Sequence, residues 1–244
     1  MAKLKIPSLQ HLARNWRSDP HRVKRQLVTL AEHGPNFNYD ALFGAVQDML
    51  VFNQPYREIV EGIRRAIRRT EVRENLLSVL PLIREYFDGV SPSFVQAVRR
   101  RYYPVGRGLM VPFDPPLIYG VGGLIHFPWF SFWRSNPLMS ERLSLFVSMV
   151  DDVLSQDPDL ESARFVILDF NAPAPQQPRT LKEIDAREIP RLSSEMMVEM
   201  LSIFAEGYFL AEAELADAAE AGREAEPRDE AGEGDQPDLF DDDR

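Results

Sequence analysis

LIYGVGGLIHFPWFSFWR, residues 117–134, decides how this chain is read. Two Trp, three Phe and one Tyr crowd it, and Gly120, Gly122 and Gly123 stand just before its densest part. Aromatic and branched side chains fit a pleated, half-buried surface, and glycine admits the backbone angles that a tight turn needs. The pattern therefore predicts a strand over residues 124–134, entered through a glycine turn. Ile125, Phe127 and Trp129 fall on one face of it, and Leu124, Phe130 and Phe132 on the other. A strand apolar on both faces has to be covered on both sides.

Upstream of that strand, Pro112, Pro115 and Pro116 leave room only for a short or edge strand, at residues 109–113. Downstream, Leu143, Phe146, Val147, Val150 and Leu154 recur at helical spacing after Ser140, and RFVILDF at 164–170 reads as a further strand. A long helix over about residues 193–219 places Met196, Met197, Met200, Ile203, Phe204 and Leu210 periodically. Before Pro104, helix signals dominate. Asp19-Pro20 starts a helix that Gly34-Pro35 stops, and residues 39–52 form the next. Pro55 opens a third, with Ile59, Ile63, Ala66 and Ile67 inward, and residues 71–87 form a fourth, kinked at Pro81 and ended by Gly89. Ser91-Pro92 repeats the start signal, which predicts a fifth helix with Phe94, Val95 and Val98 inward that runs into Arg99, Arg100 and Arg101.

The expectation is an α+β protein. A basic layer of about five helices covers residues 1–104, a small mixed α/β layer with a long last helix covers 105–220, and strands begin only after Pro104. Beyond Ala219 the apolar periodicity ends. Residues 221–244 are expected to be a disordered acidic tail, because so little apolar surface cannot offset the entropy of ordering.

With 244 residues and 44% hydrophobic side chains, the chain can bury a substantial core. It has no cysteine, which excludes disulfides, thiolate nucleophiles and cysteine-based metal sites. No targeting segment or bilayer-length apolar run is evident, so the expected compartment is the cytoplasm, with no membrane partner. The net charge of -10 hides an asymmetry. Residues 1–110 hold 18 of the 28 Lys and Arg but only 10 of the 38 Asp and Glu, so a basic half precedes a strongly acidic one.

Catalytic signatures are sparse. His11, His21, His33 and His126 show no ligand spacing, so no metal is expected; without a GxxxxGK[ST] loop or a GxSxG elbow, no cofactor or serine nucleophile is expected either. Asp169, closing FVILDF, stands where metal-dependent hydrolases place a carboxylate, and His126 is the other catalytic candidate. They define a nuclease-like or other hydrolytic alternative, although no E-x-K partner follows Asp169. The basic pattern is more extensive. Arg64, Arg65, Arg68 and Arg69 fall on two successive turns of the third helix, on a surface that could track a phosphate backbone. Arg99, Arg100 and Arg101 precede Tyr102 and Tyr103, whose rings could stack on bases. No helix-turn-helix, zinc-finger or RNA-recognition pattern accompanies them, so such contact would follow the backbone and not the base sequence. A non-enzymatic interaction module, with these arginines on an acidic partner or on the chain's own tail, is the third reading.

Gln236-Pro237-Asp238-Leu239-Phe240 is the sharpest feature of the chain. It resembles the bacterial sliding-clamp-binding peptide, in which a glutamine and two variable residues precede a Leu or Met and a Phe. Pro237 stands where such peptides prefer an aliphatic residue, and Asp241, Asp242 and Asp243 make the flank acidic. The resemblance implies that Leu239 and Phe240 fill an apolar pocket while Gln236 bonds at its rim and Asp238 lies between them. Leu239 and Phe240 are the only large apolar residues after Leu215, and a solvated tail has no structural use for them. The expected function is a DNA-associated accessory protein of replication, repair or mobile-element maintenance, recruited by the clamp.

Overall fold

The computed structural model describes residues 4–34, 38–135, 138–174 and 176–225, with side chains to 221. An N-terminal helical region is followed by a mixed α/β sheet region. Among the described residues, six helices precede the first strand: α1 (Leu9–Asn15), α2 (Pro20–His33), α3 (Asp40–Leu50), α4 (Tyr56–Ala66), α5 (Thr70–Leu77) and α6 (Leu80–Phe87). The capping signals act as their chemistry requires. The Asp19 carboxylate accepts from the His21 N–H while Pro20 occupies the first helical position. Pro81 breaks the predicted fourth helix in two: it sits in the first turn of α6, where its missing N–H leaves nothing unpaired. Gly89, at a φ of 73°, follows that helix.

Seven strands follow among the described residues: β1 (Phe94–Gln96), β2 (Arg101–Gly106), β3 (Leu109–Phe113), β4 (Ile118–Val121), β5 (Leu124–Ser131), β6 (Arg164–Asp169) and β7 (Lys182–Asp185), with α7 (Glu141–Leu154) between β5 and β6. The chain closes with α8 (Ser194–Ala225). Five strands form one sheet in the order β1-β4-β5-β6-β7, and β2 and β3 form a separate antiparallel hairpin. β5 and β6 run parallel, with Phe127 opposite Phe165 and Ser131 opposite Asp169, and α7 supplies the long crossover that parallel strands require.

Alternation along β5 and β6 sorts two cores. Phe127, Trp129, Phe165 and Ile167 face one of them, shared with α1, α2, α7, α8 and the hairpin. Phe130, Phe132, Val166 and Leu168 face the other, built with α3, α4 and α6. Trp129, Phe130 and Phe132 are all buried, as a strand covered on both faces demands. The helices before residue 104 thus divide between the two faces of the sheet. At the α2–α8 crossing, a Cβ on Gly207 would stand 2.5 Å from Val23 Cβ and 2.6 Å from the Pro20 carbonyl oxygen. The absence of a side chain at Gly207 sets that approach.

The predicted fifth helix is a correction. Residues 94–96 and 101–106 are strands, so β structure begins before Pro104. Two physical causes compete with the Ser-Pro start signal. Phe94 pairs with Gly120, and its ring lies across the position that a Cβ would take there, 2.3 Å from an idealised one. In β2 burial alternates, Tyr103 and Val105 buried and Tyr102 and Pro104 exposed, which is period 2 and not 3.6. Helix α1, with Leu9, Leu12 and Ala13 fully buried, and strands β4 and β7 were not read from the sequence. Helix α8 continues past Ala219 to Ala225, where alanine and glutamate have high helix propensity. Among the described residues, no helix is long and apolar enough to cross a membrane.

Candidate functional site

The arginines singled out in the sequence do not form one surface. Arg64 and Arg65 lie in the last turn of α4, but that helix ends at Ala66, so Arg68 and Arg69 belong to the link into α5 and not to a second helical turn. Arg99 and Arg100 precede β2, and Arg101 is its first residue. Helix α4 packs on the Phe130 face, whereas β2 belongs to the Trp129 face. Several of these charges are already answered: Arg64 pairs with Glu61 at 2.8 Å, Arg100 with Asp114, and Arg101 with Asp157. The Arg65 Nε donates to the Glu61 carbonyl at 3.2 Å. Arg65, Arg68, Arg69 and Arg99 are exposed and in no described ion pair.

Asp169 and His126 lie at opposite ends of the parallel pair. His126 is opposite Arg164 and Asp169 opposite Ser131, five residues further along, or roughly 16 Å. The His126 ring stacks on Tyr119 with centroids 4.9 Å apart, and burial, then Arg164, push its pKa down. Asp169 is 1% exposed. One of its oxygens accepts from Asn171 Nδ2 at 2.8 Å, while the other has no hydrogen-bond partner among the described residues. Burial pushes its pKa up, against the opposing pull of Ser131, Asn171, Lys182 and Arg179. Ser131 is near enough to favour the charged form, yet its own Oγ makes no well-directed bond. No group of three His, Asp or Glu side chains converges among the described residues. Asp169 and His126 therefore do not share a site.

The C-terminal ends of β5 and β6 carry what the sequence did not disclose. Arg179, 6% exposed, donates to the Phe132 carbonyl at 3.0 Å, the Phe170 carbonyl at 2.6 Å, Asn75 Oδ1 at 2.6 Å and Ser78 Oγ at 3.1 Å. It clamps the α5–α6 corner to both strand ends. Burial lowers its pKa, with Tyr39 and Asp169 favouring the charge. Its only signal in the sequence is a lone arginine in a proline-rich segment, which periodicity cannot interpret.

Beside this clamp, where β5 leaves the sheet, a cavity of about 490 Å³ opens between α1, the start of α3 and the strand end. Trp129, Phe132, Trp133, Tyr39 and Phe43 contribute aromatic surface, and Gln10, His11 and Arg14 line it from α1. The Arg14 guanidinium lies 4.5 Å from the Trp133 ring centroid, and the His11 ring meets the same indole edge-on at 5.2 Å. Surrounding protein, and then Arg14, push the His11 pKa down to about 4, so the imidazole is neutral near pH 7. The carboxyl ends of parallel strands are where open α/β sheets place ligands. Gln236, Asp238, Leu239 and Phe240 lie outside the described residues. No protein-family model matches this chain, and no curated protein sequence matches it.

Proposed function

We propose that this chain is a cytoplasmic bacterial accessory protein of DNA replication, repair or mobile-element maintenance, brought to DNA by the sliding clamp through Gln236, Asp238, Leu239 and Phe240. The observation that carries the reading is the isolated Leu239-Phe240 pair, preceded by a glutamine at the matching spacing, in an otherwise polar end of the chain. The folded body offers a complementary surface. Arg65, Arg68 and Arg69 stand exposed around the α4–α5 link, free of described ion pairs, and could contact phosphates without reading bases. Because Arg100 and Arg101 are paired with carboxylates, DNA contact belongs to the α4–α5 corner more than to β2.

Calorimetry of the full chain against a purified bacterial sliding clamp tests this. The expected dissociation constant is micromolar, on the order of −8 kcal/mol, because a linear segment gives up ordering entropy when it docks. Leu239→Ala and Phe240→Ala should each cost more than about 1 kcal/mol and Asp241→Ala almost nothing. Equal heat from the Leu239→Ala, Phe240→Ala double variant would refute the proposal.

A further inference from the structure

Where β5 leaves the sheet, three arginines from distant parts of the chain come together. Arg14 lies in the last turn of α1, Arg17 just after it, and Arg142 in the first turn of α7, against which α1 packs. All three are half-buried, and none is in an ion pair among the described residues. Arg17 donates only to neutral acceptors, the Arg14 carbonyl at 3.0 Å, the Trp16 carbonyl at 2.7 Å and Gln26 Oε1 at 3.4 Å. Burial first, then Arg142 and Arg14, pull its pKa down. Like charges gathered without a counterion favour the arrival of an anion. The cavity of about 490 Å³ opens beside them, and Arg14 joins the two, its guanidinium 4.5 Å from the Trp133 ring centroid. Leu30, Tyr39, Phe43 and Trp133 line that space, and each is only half-buried, so each keeps accessible apolar surface. The carboxylates on the rim are already engaged: Asp40 with the Asn38 side-chain amide, and Asp114 with Arg100.

A fitting occupant carries apolar side chains next to several negative charges, and the chain's own end is built that way: Leu239 and Phe240 are followed by Asp241, Asp242 and Asp243. It also starts from the right end of the molecule. Val23 meets Gly207, and Lys24 pairs with Glu214 farther along α8, so α2 and α8 run in the same direction. Leu30 is seven residues past Val23, which places it near the level of Glu214; Ala225 lies eleven residues further, or roughly 17 Å. The fourteen residues from Ala225 to Leu239 span up to roughly 50 Å, so the peptide reaches the cavity with chain to spare. The larger cavity beside α8, about 630 Å³, fits it worse, because Asp151 and Asp152 line that space and Ser194 to Ala205 place it at the opposite end of α8. We propose that the cavity past β5 holds the chain's own C-terminal peptide, with Leu239 and Phe240 against Tyr39, Phe43 and Trp133, and Asp241, Asp242 and Asp243 toward Arg14, Arg17 and Arg142. The docking stands without the clamp. Its consequence, that a docked peptide is withheld from the clamp, rests on the function proposed above.

The chain has no cysteine, so Gly234→Cys gives the full chain a single site for a nitroxide label, within roughly 18 Å of Leu239. The ¹⁵N-labelled protein then reports docking through paramagnetic broadening of the Trp133 indole N–H. Broadening is expected at low salt. It should be lost when Leu239→Ala and Phe240→Ala are added, and reduced in 1 M salt, where the screening length is about 3 Å. Equal broadening with and without the two alanines would overturn the proposal. So would broadening of the α4–α5 backbone amides in its place, which would put the acidic end on Arg65, Arg68 and Arg69. Calorimetry against the clamp reads the consequence. A peptide docked about nine-tenths of the time binds a partner about tenfold more weakly. Arg142→Glu, whose side chain makes no described hydrogen bond, should therefore tighten clamp binding by about threefold. Unchanged clamp affinity in that variant would overturn the withholding, whereas a clamp that binds neither protein would refute recruitment and leave the Trp133 result standing.

Discussion

At the N-terminal end of β6, Arg164 pairs with Glu183 at 3.3 Å and with Asp185 at 3.4 Å, its own side chain 38% exposed. At the C-terminal end, Arg179 is almost completely buried and bonds to four neutral acceptors, in no described ion pair. The end with more opposite charge is the one held more weakly. Water competes for Arg164 and its carboxylates, so their attraction is screened; nothing competes for Arg179, so each bond it loses would leave a buried group unpaired. His126 stands at the first end and Asp169 at the second. Candidate catalytic residues of similar appearance in the sequence thus occupy environments with little in common.

The largest break in this contrast should come from Arg179→Met. It strands the Phe132 and Phe170 carbonyls and Asn75 together, and urea unfolding should report a loss of about 3–5 kcal/mol. A loss below about 1 kcal/mol would place both arginines in the same class. Asp169→Asn should act in the opposite direction and more gently. Because burial raises the folded pKa of Asp169 above its ordinary 3.8, the folded state binds the proton more tightly than the unfolded chain. Stability is then greatest below that ordinary value and falls as pH rises through the folded pKa. The asparagine variant should therefore match the wild type in acid and exceed it at neutral pH, as thermal melts across that range would show. Equal pH profiles for the two proteins would remove the argument.

Arg164→Met should cost under about 1 kcal/mol, and most of that difference should vanish in 1 M salt, where charges separated by more than ~3 Å are screened. A salt-independent loss would mean that the exposed end is as dry as the buried one. The smallest effect belongs to His126. Its folded pKa lies below the ordinary 6.5, so its contribution is complete above that value and is lost as pH falls through the folded pKa. His126→Gln should flatten the acid side of the stability profile slightly, and ¹H–¹⁵N titration of the ring should place its pKa below 6.5. A ring that titrates at or above 6.5 would contradict the burial argument.

Much of this architecture was legible along the chain, wherever the signal was local. The residues 109–113 strand has the bounds expected for it, and the Ser140 helix start and the alternation of Phe127 and Trp129 against Phe130 and Phe132 also emerged as read. What misled was the segment 91–103. Its start signal is sound chemistry, but Ser93 donates its N–H to the Gly120 carbonyl at 2.8 Å, and β1 covers the β4 edge that a helix would have left unpaired. Similarly, Arg64 to Arg69 looked like one helical face until Ile67 took an extended conformation and ended α4. In the first case a local preference of a fraction of a kcal/mol yields to a strand farther along the chain.

By itself, then, the sequence determined the α+β class, the helix-first order, the doubly covered aromatic strand and the acidic end with its Leu239-Phe240 pair, because composition and periodicity are properties of neighbouring residues. Only the tertiary structure decided that helices from the first hundred residues divide between both faces of the sheet, that Asp169 is sealed away from His126, and that Arg179 clamps two strand ends. It also brought Gln10 and Trp129, 119 positions apart in the chain, to the lining of one cavity. Such pairings depend on which surfaces meet when the apolar faces are buried, and no periodicity within a segment encodes the residue that will arrive from the other end of the chain.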